Sequence, residues 1–368
     1  MPTSSRPPFA RRKLSIEELR EYLFHGLQIP TRDLSGLSFD GEDLTKAKFL
    51  DCDLSGADFR GARLDKAAFT MCDLPGARFD EMSLSRFSLV SCEAAEASFA
   101  GATLSDCQTA GTSLAGADFG EAKLLRCAFA KSPLTGASFE AAELETVAVL
   151  QSDLTDVVFR TASLLMVFLT EADLRTADLS QTRLQQVLLI DGDLRGHTFA
   201  GQSLENCTMM KANLDGVDLR GANLANSIFM DSSLRQANLS GIEGSKAIFN
   251  GADLTQADFT GSKLDMANFS GATLHHASFA DCRMPIAQFE RADLRAAAFD
   301  RADLSHANFA NAHAEGASLR NVKLKQTSLH MVDLDSTFSE GSTGTVKGTD
   351  PHRAVAEHYN SFKVRLAE

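Results

Sequence analysis

Large apolar residues recur at every fifth position over most of the chain. The stretch 252–274, ADLTQADFTGSKLDMANFSGATL, shows the pattern clearly. Stepping by five from Leu34 to Leu334 gives 61 positions without an insertion or deletion, of which 35 are Leu and 19 are Phe. A period of five fits neither a strand, whose side chains alternate with a period of two, nor a helix with about 3.6 residues per turn. The sequence therefore predicts an array of five-residue units.

The position two before each large residue is also restricted. Ala occupies 30 of these 61 positions, and most of the others are Cys, Ser, Val or Thr. Residues two apart in an extended segment point to the same side, so the small residue and the large residue both face inward. The other three residues of each unit face outward or turn a corner. Such a unit cannot bury its apolar side alone, so the chain must coil and stack its units.

The number of sides in each coil follows from residues that recur at longer spacing. Every Phe of the pattern lies at a number ending in nine, which requires an even number of sides. Cys52, Cys72 and Cys92 are spaced by 20 residues, as are Cys107 and Cys127. Coils of 20 residues, with four sides each, would stack these cysteines in ladders.

The motif A(D/N)LxG, seen as ADLTQ, ANLDG and ANFSG, resembles the pentapeptide-repeat family. The resemblance covers residues 32–336. It implies an all-β solenoid, a right-handed quadrilateral parallel β-helix, here of about fifteen coils with short N- and C-terminal α-helices.

Residues 1–31 precede the repeat and contain a predicted cap. Ser15 and Glu18 form an S-x-x-E capping box. The sequence predicts a helix over 15–28 within a capping segment 15–31, after a flexible basic arm at 1–14. The apolar side of that helix would consist of Ile16, Leu19, Leu23 and Leu27. A cap is expected because open solenoid ends expose strand edges and core.

Residues 337–368 follow the repeat and divide into two predicted parts. Residues 337–349 are rich in Gly, Ser and Thr, as in a linker. Residues 350–368 predict an amphipathic helix with Asp350 as its N-cap and Pro351 in its first turn. A possible dimer or docking side of this helix consists of Val355, Tyr359, Phe362 and Leu366. The helix could fold back on the last coil, pair with a second copy, or bind a partner.

The chemically reactive residues fit structural roles better than catalytic ones. All seven cysteines occupy the small inward position and are expected to be buried substitutes for Ala. We expect the Asp residues that precede the large residue to bond the local backbone near the corners; they include Asp53, Asp173, Asp253 and Asp303. His275 and His276 predict a solvated pair, and His197 a locally accommodated residue. GSTGTVKGT at 341–349 lacks the order of a phosphate-binding loop. We therefore predict no enzyme activity, cofactor, metal or small-molecule substrate.

The composition limits the partners and the location. The formal net charge of −13 disfavours direct nucleic-acid binding, which requires clustered Lys and Arg. The N-terminus lacks the apolar core of a secretory signal, and no stretch approaches the length of a membrane span. The sequence predicts a bacterial cytoplasmic protein, with leaderless export left open.

One of the four sides breaks the rule that outward positions are polar. If coils contain 20 residues, eight large apolar residues project from the fourth side: Leu150, Phe168, Leu188, Ile190, Met210, Ile228, Met230 and Ile248. Leu165 and Met166 lie on an adjoining side. An apolar patch of this kind is typical of an interaction surface. A partner protein, a second copy, or the N-terminal arm or C-terminal helix of the same chain could cover it.

The sequence is most consistent with a non-enzymatic interaction scaffold or adaptor that docks a partner or a second copy on this side. The family resemblance implies an alternative, because some members are dimeric acidic DNA mimics that bind type II topoisomerases such as gyrase. A secreted effector or a secretion-system adaptor is a further alternative.

Overall fold

The computed structural model describes residues 11–334, 336–337, 339–352 and 354. The chain divides into two compact units, residues 1–188 and residues 189–368. Each unit is a parallel β-solenoid, and the two are described separately below.

Short strands and one helix form the regular structure of the described residues. The helix is α1 (Ile16–Phe24). The strands are β1 (Arg12–Lys13), β2 (Ile29–Pro30), β3 (Arg32–Asp33), β4 (Lys48–Leu50), β5 (Ala68–Thr70), β6 (Ser83–Ser85), β7 (Ser88–Val90), β8 (Thr103–Ser105), β9 (Gln108–Ala110), β10 (Lys123–Leu125), β11 (Ala128–Ala130), β12 (Glu143–Glu145), β13 (Ala148–Leu150), β14 (Ser163–Leu165), β15 (Phe168–Thr170), β16 (Arg183–Gln185), β17 (Leu188–Ile190), β18 (Thr327–Ser328) and β19 (Val346–Lys347).

Parallel pairing in both units joins residues that are 20 apart. In unit 1, Leu124 of β10 lies opposite Leu104 of β8 and Leu144 of β12. In unit 2 the pairs are mostly isolated bridges with the same spacing, such as Asp253 with Thr273. Each coil therefore contains four five-residue units, which confirms the predicted four-sided β-solenoid.

The large and small inward residues form the core as predicted. Phe39, Phe59 and Phe69 are completely buried. Phe39 and Phe59 stack in successive coils with ring centroids 4.6 Å apart, whereas Phe59 and Phe69, on different sides, meet edge to face at 5.7 Å. Both arrangements are favourable for aromatic rings. The ladders thus fill the centre of the coils with apolar side chains.

The residue two after nearly every large residue turns the corner. Its φ is positive, for example +64° at Gly36 and +63° at Lys46. Glycine adopts this left-handed conformation without a steric penalty. This explains the glycine at the end of the A(D/N)LxG motif.

The N-terminal cap contains the predicted helix, but the helix is shorter and the flexible arm is less extensive than predicted. α1 ends at Phe24 rather than at 28, and Leu27, predicted on its apolar side, lies beyond it and is exposed. The Ser15 hydroxyl accepts a hydrogen bond from Glu18 N–H, the Glu18 carboxylate accepts one from Ser15 N–H, and Leu19 is completely buried. Residues 11–14 form structure rather than a flexible arm, because β1 pairs with β3 and Leu14 is buried. Residues 1–10 lie outside the described residues. The register of β1 is also 20, so α1 replaces part of a coil without changing its length.

The segment predicted as a Gly/Ser/Thr linker pairs with the coil before it. β19 pairs with β18. The Ser342 hydroxyl accepts a hydrogen bond from Val322 N–H at 3.3 Å, and Thr343 N–H donates to the Val322 carbonyl at 2.9 Å. Asp350 begins a helical turn, since its carboxylate accepts from His352 N–H at 2.9 Å and its carbonyl accepts from Ala354 N–H at 3.0 Å. The remaining residues of the predicted helix lie outside the described residues, including Val355, Tyr359, Phe362 and Leu366.

Two residues that interrupt the sequence pattern leave the coils intact. Gly244 stands where a large residue is expected, and its N–H still donates to Lys263 in the next coil at 2.7 Å. Ile242, at the small position of the same unit, fills the space instead and is completely buried. Pro285 follows its large residue directly, and its carbonyl accepts from Met266 N–H at 3.0 Å. Neither residue disturbs the register.

Candidate protein-interaction face

The fourth side of the coils carries outward side chains with almost no charge. In each three-residue strand of this side the middle residue faces inward, buried except for the half-buried Thr109 of β9, and the residues before and after it face outward. In unit 1 we call the outward residues of β5, β7, β9, β11, β13 and β15 the uncharged face. They are Ala68, Thr70, Ser88, Val90, Gln108, Ala110, Ala128, Ala130, Ala148, Leu150, Phe168 and Thr170. In a chain with 23% charged residues, six successive strands without one outward charge form a distinct surface.

The register arranges these side chains in two columns. Phe168 lies opposite Ala148, which lies opposite Ala128. Leu150 lies between Ala130 and Thr170 in the other column. Large residues therefore stand at one end of the uncharged face, beside a row of small ones.

The large residues of the face are exposed to solvent. Leu150 is 38% exposed and Phe168 is 37% exposed. Val90, which was not among the predicted site residues, is 39% exposed on the same face. Leu188, the last residue of unit 1, is half-buried. The pattern of large apolar residues predicted neither Val90 nor the alanines as part of this surface. The absence of charged residues at the outward positions of this side would have indicated them.

Apolar residues continue around one corner of the face. Leu125 and Leu165 are the last residues of β10 and β14 on the adjoining third side. Met166 turns the corner with a φ of +52° and is exposed. Leu125 and Leu165 belong to the coils that carry Ala130 and Phe168, whereas the coil of Leu150 between them places the exposed Glu145 of β12 at this edge.

The opposite edge of the face carries carboxylates. Glu171 turns that corner, and Asp153 and Asp173 begin the adjoining first side. Asp153 accepts hydrogen bonds from the Thr155 hydroxyl at 2.7 Å and the Thr155 N–H at 2.9 Å, and these bonds lower the pKa of Asp153. Asp153 therefore stays ionised at neutral pH. Lys131 turns the same corner beside Ala130, so this edge carries one basic residue as well as its carboxylates.

Unit 2 carries the other five predicted residues on its own fourth side. Ile228 lies opposite Thr208 and Ile248 in one column. Ile190, Met210 and Met230 occupy the outward position after the large residue of successive coils. These five are all partly exposed: Ile190, Met210, Ile228, Met230 and Ile248. All eight residues project outward, three of them in unit 1 and five in unit 2.

The reactive residues have structural environments. All seven cysteines are free and buried, and burial raises the pKa of the Cys282 thiol to about 12. The four predicted Asp residues each accept from the N–H two residues ahead: Asp53, Asp173, Asp253 and Asp303. These carboxylates bond the local backbone as expected.

The histidines differ in part from the expectation. His275 is not simply solvated, because its Nε2 lies 2.6 Å from a carboxylate oxygen of Asp293. Burial raises the pKa of Asp293, but hydrogen bonds from Arg295 and His275 outweigh it and lower that pKa to about 2. His276 is an exposed corner residue, and His197 is half-buried at a small inward position. Among the described residues, no group of three His, Cys, Asp or Glu side chains could hold a metal ion.

A groove of about 1180 Å³ lies elsewhere on unit 1, and charged residues line it. Arg78 and Asp80 pair within it at 3.1 Å. Arg60 pairs with Asp58 beside it at 2.6 Å. Both arginines of the lining are thus paired, but the lining also carries Glu81, Asp118, Glu121 and Glu140, so the groove is acidic, in contrast to the uncharged face.

Comparison with known families accounts for the repeat. A family described as "Pentapeptide repeat region" matches residues 62–139 and 252–329. A second, described as "Pentapeptide repeats (8 copies)", matches residues 33–65, 43–80, 152–191, 193–229 and 227–265. The chain belongs to the pentapeptide-repeat family. These matches confirm the predicted resemblance.

Three solved structures of pentapeptide-repeat or related proteins are similar to the chain. A pentapeptide repeat protein from the thylakoid lumen of Arabidopsis thaliana is 27% identical over 24% of this chain and 63% of its own, with a TM-score of 0.24. HetL, involved in heterocyst differentiation regulation in the cyanobacterium Nostoc sp. strain PCC 7120, is 20% identical over 89% and 94%, with a TM-score of 0.15. QnrB1, a plasmid-mediated fluoroquinolone resistance protein, is 13% identical over 52% and 96%, with a TM-score of 0.26. The pentapeptide-repeat chain thus spans less than two thirds of the Arabidopsis structure.

Two further findings concern curated relatives of this pentapeptide-repeat protein and membrane-spanning helices. A search of curated proteins gives no match. Among the described residues, no helix combines the length and the apolar character that crossing a membrane requires.

Proposed function

We propose that this pentapeptide-repeat protein is a non-enzymatic interaction scaffold or adaptor that docks a protein partner, or a second copy, on its fourth side. The observation that carries the proposal is the uncharged face with Leu150 and Phe168 exposed at one end. Burying such side chains in an interface is favourable by about 25 cal/mol per Å² of apolar area.

The backbone of this face suits docking. β11 is hydrogen-bonded to β9 on one side and β13 on the other, so the strands hold the face in a fixed geometry. A preorganised surface loses little conformational entropy on binding. Little of the binding free energy is therefore needed to order the scaffold, and more of it contributes to affinity.

The alternative of an acidic DNA mimic places binding on the charged sides. Many outward carboxylates of those sides are paired with Arg, for example Asp218 with Arg220 at 2.7 Å and Asp281 with Arg301 at 2.6 Å. Pairing reduces the negative field that a DNA mimic would present. The charged sides support this function less well than the uncharged face supports docking.

Photo-crosslinking tests the proposal by comparing two exposed phenylalanine positions, one on the uncharged face and one away from it. Benzoylphenylalanine replaces Phe168 on the face or, as the control, Phe24 of α1, which is 85% exposed. In cells that express the protein, irradiation is expected to give a discrete protein adduct from position 168 but not from position 24. Leu150→Asp in the same chain should abolish the adduct.

Three outcomes would contradict the proposal. They are no adduct at position 168, equal adducts at positions 168 and 24, and an adduct only within the same chain, which would show self-cover. Leu150→Asp and Ile190→Asp, each introduced into the chain that carries benzoylphenylalanine at position 168, separate docking from folding in units 1 and 2. Docking predicts lost adducts with an unchanged circular dichroism spectrum and melting temperature, whereas self-cover predicts impaired folding.

A further inference from the structure

The dimensions of the uncharged face in unit 1 restrict what can bind to it. Its six strands span about 24 Å at about 4.8 Å per coil, and its two columns make it about 10 Å wide. A protein–protein interface of standard size buries about 800 Å² on each partner, which is roughly three times the area of this face. An α-helix is about 10 Å wide and covers 24 Å in about 16 residues. The face therefore fits one helix better than a globular surface.

The hydrogen bonding of the face also favours a helix. The backbone groups of β11 and β13 pair with neighbouring coils on both sides. An added extended segment would find no free strand edge on the face, and strand addition requires one. A helix satisfies its own backbone groups and needs only side-chain contacts.

The chain itself supplies a sequence of suitable length after its last coil. The carboxylate and carbonyl of Asp350 accept hydrogen bonds from His352 and Ala354, as at the start of a helix. The segment 350–368 has 19 residues, or about 28 Å as a helix. Its apolar residues follow helical spacing and lie outside the described residues: Val355, Tyr359, Phe362 and Leu366.

The charges of this segment match the edges of the face. Lys363 and Arg365 flank Phe362 and Leu366 in the sequence. One edge of the face carries Asp153, Glu171 and Asp173, and the other carries Glu145 between Leu125 and Leu165. Residues two apart on a helix are separated by about 200°, so Lys363 and Arg365 would fall on opposite flanks of the apolar side, and each could face the carboxylates of one edge.

We propose that the uncharged face of unit 1 binds the C-terminal segment 350–368 of a second copy. In a two-fold dimer each chain gives its segment and receives the other, so the contact forms twice. The doubled contact covers about two thirds of the area that a standard interface buries on each partner, whereas a single helix covers about one third. This proposal rests on the proposed function and names the second copy as the partner.

The mass of full-length variants in solution tests this exchange of C-terminal segments between two copies. By sedimentation equilibrium the wild type is expected to have twice the chain mass of 39.6 kDa. Phe168→Glu on the face and Phe362→Glu in the segment should each weaken the dimer at least about 100-fold. Met266→Glu is the matched control, because Met266 is 49% exposed at a corner of unit 2 and should leave the dimer unchanged.

A mixture of the two variants identifies the exchange specifically. The Phe168→Glu chain keeps an intact segment and the Phe362→Glu chain keeps an intact face, so the mixed pair retains one of its two contacts. The mixture should associate more strongly than either variant alone and more weakly than the wild type.

The same variants distinguish the other arrangements, each of which overturns the proposal. A dimer of Phe362→Glu chains at wild-type strength would show face-to-face packing, and a dimer of Phe168→Glu chains would show pairing of two segments. A monomeric wild type would exclude the exchange, even if position 168 still crosslinks to another protein. In that case the proposed function would stand, whereas loss of every adduct would remove both proposals.

Discussion

An exchange of large and small residues in unit 2 gives a quantitative test of how a coil fills its core. A usual unit has a small residue followed two positions later by a large one. The unit at 242–246 reverses the sizes, with Ile242 and Gly244. We predict that Ile242→Ala and Gly244→Leu each destabilise the protein and that the double variant, which restores the usual order, recovers much of the loss.

The structure sets the magnitudes. Ile242 is completely buried, so Ile242→Ala should cost about 2–5 kcal/mol through lost burial and the resulting cavity. A Cβ on Gly244 would lie 2.8 Å from Cδ2 of Leu264 and 3.2 Å from Cδ1 of Ile242. Gly244→Leu alone should therefore cost about 1–3 kcal/mol through overpacking. In the double variant the Leu side chain enters the emptied space, so the coupling energy should be about 2–3 kcal/mol in favour of folding.

Urea unfolding followed by circular dichroism measures the four members of this cycle. Because repeat arrays can open locally, hydrogen exchange of peptides covering 242–264 should be measured in parallel. The reciprocal exchange Ala222→Ile with Leu224→Gly, one coil earlier on the same side, is the matched control. It should also be less costly than the sum of its single changes. Additivity within about 0.5 kcal/mol in the 242 and 244 cycle would refute the reasoning.

Three further predictions concern a corner, a cap and a carboxylate. Ile286 is β-branched at φ +64°, so Ile286→Gly should remove about 1 kcal/mol of strain and raise the melting temperature; a fall would contradict it. Ser15→Ala should cost α1 about 1 kcal/mol, measured as faster hydrogen exchange at residues 16–24; unchanged exchange would count against the cap. Hydrogen bonding from Arg60 lowers the pKa of Asp58 to about 2, below its unfolded value of about 3.9, so its stabilisation holds above pH about 4 and disappears as pH falls to about 2. The difference in melting temperature between wild type and Asp58→Asn should therefore vanish over that range; a constant difference would refute the assignment.

The body of the fold could be predicted because every coil repeats the same constraint. The spacing of Cys52, Cys72 and Cys92 predicted pairing between residues 20 apart, and the strands show that pairing. The start of α1 was predictable for a different reason. Ser15 and Glu18 bond each other's backbone, so the signal is local to four residues.

The ends of the fold were harder to predict because their pairing uses the backbone. Arg12 and Lys13 look like part of a basic arm, and the chain around Val346 looks like a linker. Both nevertheless form strands against an existing coil edge. An unpaired edge can bond any segment with suitable geometry, so side-chain composition is a weak guide there.

The candidate site was predictable only in part. The alternation of inward and outward positions identified Leu150 and Phe168 as exposed once the coil length was known. Val90 was missed because its neighbours on the same side in the adjacent coils, Thr70 and Ala110, are small. Its relation to Leu150 depends on the stacking of several coils. The partner and the role of residues 355–368 remain proposals, because the described residues do not include that segment.

Folding requirements alone do not explain the composition of the uncharged face. The core depends on inward residues such as Phe129 and Cys127, both buried, and the corners depend on backbone conformation. Outward positions on other sides tolerate Asp, Arg and Lys, as the pair Lys123 and Glu143 shows on the third side of the same coils. The backbone of the fourth side has the same register and would tolerate charge equally well. Since stability does not require these positions to be uncharged, and solvent exposure disfavours apolar residues there, contact with another apolar surface is the simplest cause.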